Sequence, residues 1–76
     1  MSRIIKETIV FQSACLNKAI YIPRHRILKL TYSNQARYIY FKVSPHTWEG
    51  LRNAKSAGKF TNKFLKPYYE FHRQDK

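Results

Sequence analysis

Two alternating runs, "ILKLTY" (27–32) and "RYIYFKV" (37–43), constrain this chain more than any other feature. In a strand, successive side chains point to opposite faces. The first run sets Leu28, Leu30 and Tyr32 against Lys29 and Thr31. The second places Tyr38, Tyr40 and Lys42 together, opposite Ile39, Phe41 and Val43. Between the runs, "SNQ" carries turn chemistry and leaves room only for a tight reversal, so the pair reads as an antiparallel hairpin. The alternation points Tyr38, Tyr40 and Lys42 outward, and the two tyrosines then have two readings. They form a stacking platform for bases, with Lys29, Arg37 and Lys42 nearby for phosphates. Alternatively the C-terminal aromatics fold back over them and they are core, their hydroxyls reaching the edge.

The hairpin extends upstream. "ACLNKAIYI" reads as a strand stopped by Pro23, and "PRHR" as a turn. Ile4 to Phe11 is β-branched enough for a further strand, spanning 3–12, although a short helix fits it too. At Ser44 the pattern changes. Ser44 as N-cap, Pro45 at the first helical position and Glu49 in the opening turns mark a helix, with Trp48, Leu51 and Ala54 as its apolar stripe. Ser56 and Gly58 fit the end of that helix, Gly58 in a left-handed conformation. A second short helix from Asn62 to Lys66 offers Phe60, Phe64 and Leu65 for packing, and after Pro67 "YYEFHRQDK" reads as a docked aromatic segment with a frayed tail. The expected fold class is α+β: a small antiparallel meander of three to four strands, followed by one or two helices packed on one sheet face. The 76 residues are expected to form a single domain.

Charge narrows the function. Fifteen Lys and Arg against Glu7, Glu49, Glu70 and Asp75 give +11, distributed from Arg3 to Lys76 rather than held in one tail. Such a field draws polyanions. The lone Cys15 excludes an internal disulfide and reads as a small buried hydrophobe, and no long apolar run is present; the expectation is a cytoplasmic protein without a membrane role. The acids form no acid/base pair, and His25, His46 and His72 lack metal-ligand spacing with one another or with Cys15. The expectation is a non-enzymatic chain with no cofactor, no metal and no small-molecule substrate.

The string "YIYFKVSPHTWEGLRNAKSAGKFTNKFLKPYY" resembles the KTSC domain, a family named after the C-terminal region of certain lysyl-tRNA synthetases and also found as small free-standing proteins in bacteria and phages. Tyr38 and Tyr40 match its central Tyr-x-Tyr, and Val43 with Pro45 its Val-Pro with Ser44 inserted. Ala54, Ser56 and Gly58 match its Ala-x-Ser-x-Gly, Phe60 and Asn62 its aromatic-Asn segment, and Tyr68 or Tyr69 its late tyrosine. Ser13 to Tyr21 looks like the family's first strand, so the resemblance covers 13–71, preceded by a longer segment than the family has. The resemblance implies the fold, and RNA binding as the usual suggestion for the family.

The expected interface combines Lys29, Arg37, Tyr38, Tyr40 and Lys42 with a cationic series Arg52, Lys55, Lys59, Lys63 and Lys66, spaced as on one helix face. "RHR", Arg24 to Arg26, reads as an exposed turn, and the backbone N–H groups from Gly58 to Asn62 are an alternative phosphate site. The expected partner is nucleic acid, RNA ahead of DNA. The alternative is a phage- or bacteria-encoded module or inhibitor that binds an acidic surface of a host enzyme or nucleoprotein, with Trp48 or Tyr69 as a buried anchor. A monomer or weak homodimer is expected, since the charge opposes self-association.

Overall fold

Short turns at fixed positions organise the sheet. The computed structural model describes residues 5–11 and 16–74; Arg3, Ser13, Cys15, Asp75 and Lys76, with the ends of the expected 3–12 strand, lie outside the described residues. Strands β1 (Glu7–Val10), β2 (Leu16–Ile22), β3 (Ile27–Tyr32), β4 (Arg37–Tyr40) and β5 (Phe71–Arg73) form one antiparallel sheet in sequence order. Between β3 and β4 the Asn34 side chain accepts from the Ala36 N–H at 3.0 Å, and Gln35 takes a φ of 76°. An Asn side chain that mimics a backbone turn makes that reversal tight. Between β2 and β3 Arg26 takes a φ of 55°, and its N–H closes on the Pro23 carbonyl at 3.2 Å.

Register decides which face is core. Tyr40 lies opposite Leu28 and Tyr38 opposite Leu30, so both tyrosines share the face of two fully buried leucines. Tyr40 is fully buried and Tyr38 half-buried on that face, so of the two readings of the tyrosines the structure takes core and overturns the open platform. The alternation within "RYIYFKV" groups Tyr38 with Tyr40 correctly but does not say which set faces inward. Lys42 also leaves the alternation: β4 ends at Tyr40, and Lys42 has a φ of 58°. That left-handed step carries the chain off the sheet. It lets Val43 bury its side chain, donate to the Arg26 carbonyl at 2.9 Å and accept from the Tyr21 hydroxyl at 2.6 Å.

A bulge in β2 performs a similar sorting. Leu16 pairs with Tyr32 but Lys18 pairs with Thr31, so Asn17 is the extra residue. The bulge keeps Leu16 buried in the core while turning Lys18, two residues on, to the opposite face.

Helix α1 (Pro45–Arg52) starts as the sequence indicates. Ser44 is the N-cap, its hydroxyl accepting from the Thr47 N–H at 3.2 Å, with Pro45 at the first position. It ends earlier than expected, at Asn53, whose side-chain amide donates to the Glu49 carbonyl at 2.9 Å. Ser56 then begins helix α2 (Ala57–Phe60) instead of ending α1, and Gly58 sits inside α2 without a positive φ. A π-helical turn, Thr61–Leu65, continues α2. Both helices cover one sheet face, where Trp48, Leu51, Ala57 and Leu65 meet Leu16, Ala19, Tyr21, Leu28, Leu30 and Tyr40. Trp48 stacks on Tyr21 with centroids 5.2 Å apart. Full burial of a large apolar side chain contributes about 1.5–3 kcal/mol each, which is what a core this small depends on. The segment read as a docked aromatic stretch with a frayed tail contributes β5, whose Phe71 ring docks 5.1 Å from Tyr40 and 5.6 Å from Tyr38.

Candidate nucleic-acid interface

The sheet face away from the helices is built by the residues that the core leaves out. Its rows run Thr8–Ile20–Lys29–Ile39–His72 and Val10–Lys18–Thr31–Arg37 across the strands. Diagonal neighbours in such rows stand about 7–8 Å apart, so Lys18, Lys29 and Arg37 form one cluster on adjacent strands. All three are exposed. They line a shallow groove of about 570 Å³ together with Asn17, Thr31, Gln35 and Gln74, and among the described residues no carboxylate lines it. Half-buried Ile20 and Ile39 give the face an apolar floor. Phe41 and His72 meet edge to face at 5.5 Å beside it.

The predicted interface residues divide between two sides of the molecule. Lys29 and Arg37 lie on the open sheet face, and Lys18 joins them. Tyr40 lies beneath it, on the core side, and half-buried Tyr38 touches the groove while its ring meets Tyr32 and Phe71 on the core side. Burial, with Tyr32 and Tyr38 alongside, pushes the Tyr40 phenol well above its usual range. Lys42 is exposed in the loop after β4. The helical series does not make one stripe. Arg52 ends α1 and pairs with Glu49 at 3.1 Å and with Glu7 at 3.7 Å, so its charge is largely answered. Lys55 lies in the connection between the helices, and Lys59, Lys63 and Lys66 follow along α2 and the π-helical turn, all exposed. The break between Arg52 and Ala57 is what divides the series. The alternative phosphate site at the start of α2 is taken in part by the protein, because the Ser56 hydroxyl accepts from the Lys59 N–H at 3.3 Å.

Trp48 cannot serve as an anchor for a partner. It is 2% exposed, and its indole N–H donates to Glu7 Oε1 at 2.8 Å. Tyr69 is half-buried with its hydroxyl 2.8 Å from Thr47 Oγ1.

Sequence reasoning missed Lys18, because the bulge at Asn17 breaks the alternation that would have placed it. The interruption was visible in "LNKA", where Leu16 and Ala19 are both buried yet three apart. It also placed Phe64 in packing, although it is 45% exposed, and treated Tyr68, which is 75% exposed, as docked. Among the described residues no helix is long and apolar enough to cross a membrane.

The KTSC domain matches residues 12–69. A protein of Tsukamurella paurometabola is 34% identical over 58 residues, covering 76% of this chain and 87% of that one. A lysine–tRNA ligase of Nostoc punctiforme is 31% identical over 72 residues, covering 88% of this chain but 13% of the ligase. The crystal structure of a KTSC domain protein from Yersinia pestis superposes with a TM-score of 0.84 at 20% identity, covering 92% of this chain and 99% of the other.

Proposed function

The chain belongs to the KTSC domain family, and from that premise we propose that it is a non-enzymatic module that binds single-stranded RNA across the open face of its sheet. One observation carries this reading: Lys18, Lys29 and Arg37 converge from three adjacent strands on a groove that has no carboxylate in its lining among the described residues. Cations so placed neutralise consecutive phosphates and release their counterions, which supplies sequence-independent affinity. Asn17, Thr31, Gln35 and Gln74 add donors and acceptors around the same groove. Groups of that kind can engage the 2′-hydroxyl that separates RNA from DNA. Tyr38 and Tyr40 serve the interface from beneath, as rigid packing that holds β4 and Arg37 in register. The match to a segment of a lysine–tRNA ligase is consistent with a fold that works beside RNA.

Titration of the isotopically labelled protein with a single-stranded RNA decamer tests this reading. The amide signals of Lys18, Lys29, Thr31 and Arg37 are expected to move together and to saturate. Saturable binding that leaves those four signals in place would remove the sheet face from the interface.

A further inference from the structure

The helical side holds a second concavity, formed by aromatic rings at the margin of the core: Phe60 and Tyr69 pack against it, and Phe64 and Tyr68 are exposed. The π-helical turn, in which the Lys66 N–H reaches the Thr61 carbonyl at 2.9 Å, sends Leu65 into the core and leaves Phe64 outside. Phe60 and Phe64 lie 4.9 Å apart at a 42° tilt. With Tyr68, Tyr69, His46 and Gly50 they line a cleft of about 360 Å³. That is within the range of small-ligand sites, about 300–1,000 Å³. Gly50 lets the Phe60 ring lie close against α1, since a Cβ there would stand 2.9 Å from Phe60 Cζ. The Tyr69–Thr47 contact closes one wall.

We propose that this cleft binds an unpaired nucleobase by stacking, with the phosphates on either side of that base held by Lys59, Lys63 and Lys66; the inference rests on the RNA-binding reading above and gives it a base-recognition site. Charge selects the occupant. The Lys63 ammonium already lies 5.6 Å from the Phe64 centroid, the two other lysines are exposed on the same segment, and among the described residues no carboxylate lines the cleft. A flat aromatic ligand joined to anions suits rings flanked by cations, and each base offers a π-face whatever its identity. An apolar side chain from a protein partner would fill the rings and leave the three lysines unanswered.

Fluorescence anisotropy with three RNA octamers tests the cleft: single-stranded, the same chain with abasic sites, and a duplex. Tyr68→Ala and Phe64→Ala are each expected to weaken binding of the base-bearing single strand about tenfold, with little change for the abasic chain or the duplex. Tyr68→Phe, which keeps the ring, is expected to bind like the parent chain. A triple variant Lys18→Gln, Lys29→Gln, Arg37→Gln is expected to lose affinity for all three. Unchanged affinity in both alanine variants, or an equal loss on the abasic chain, would overturn the cleft and leave the sheet face standing. Absence of binding by the parent chain to any octamer would overturn both readings.

Discussion

The Trp48 indole N–H donates to Glu7 Oε1 at 2.8 Å across 41 residues of sequence, and so fastens helix α1 to the edge strand β1. The same carboxylate oxygen lies 3.7 Å from Arg52 at the end of α1. One acid thus satisfies a buried donor and neutralises a cation.

Glu7→Ala is expected to lower stability by about 1.5–3 kcal/mol, because a hydrogen bond to a charged group is lost and the indole N–H is left without its acceptor. Glu7→Gln keeps an acceptor in place and is expected to retain the greater part. Urea unfolding of the three chains checks this, and equal losses in Ala and Gln would show that the indole bond is not what Glu7 contributes.

Buried phenols set an alkaline limit. Burial, the leading cause in each case, raises both Tyr40 and Tyr21 above the unfolded value of 10.0. Above pH 10 the unfolded chain releases these protons while the folded chain retains them, so stability is full below about pH 10 and falls as pH rises beyond it. Tyr40→Phe is expected to make that decline shallower, as read from urea midpoints between pH 8 and 11. Tyr40→Ala empties a fully buried site and is expected to cost about 3–5 kcal/mol, enough to unfold a domain of this size.

Gly50→Ala sets two effects against each other. Within α1 alanine favours the helix by about 0.8–1 kcal/mol. The new Cβ, however, meets Phe60 Cζ at 2.9 Å and Cε2 at 3.0 Å, and Phe60 is already packed against Phe64. The displaced ring is expected to cancel the propensity gain, so that the urea midpoint stays level or falls. A gain of the full propensity value would mean that Phe60 moves freely.

The fold was legible wherever a local signal and the tertiary context agreed. The Ser33–Gln35 turn, the Ser44–Pro45 helix start and the Leu28/Leu30 core face all follow from residue type at fixed offsets. The errors arose where longer-range pairing decided. Tyr40 is core because it lies opposite Leu28, Phe71 is a strand residue because it lies opposite Tyr40, and neither pairing is written in a single run. The candidate sheet face was half legible: residue type and pairing bring Lys29 and Arg37 together, the Asn17 bulge hides Lys18, and spacing alone does not show that Glu7 and Glu49 answer Arg52. Ser56 matched a helix-end motif yet begins a helix, since a serine with a free hydroxyl caps the N–H groups that follow it.

The salt dependence of RNA affinity, measured for the parent chain and for the Lys18→Gln, Lys29→Gln, Arg37→Gln triple variant, tests the central claim most directly. The slope of log K against log salt is expected to become shallower by about 2 in the triple variant, since each phosphate contact on a single strand contributes about 0.7. Parallel slopes for the two chains, or a flat response in the parent, would contradict a cationic RNA-binding face on this sheet.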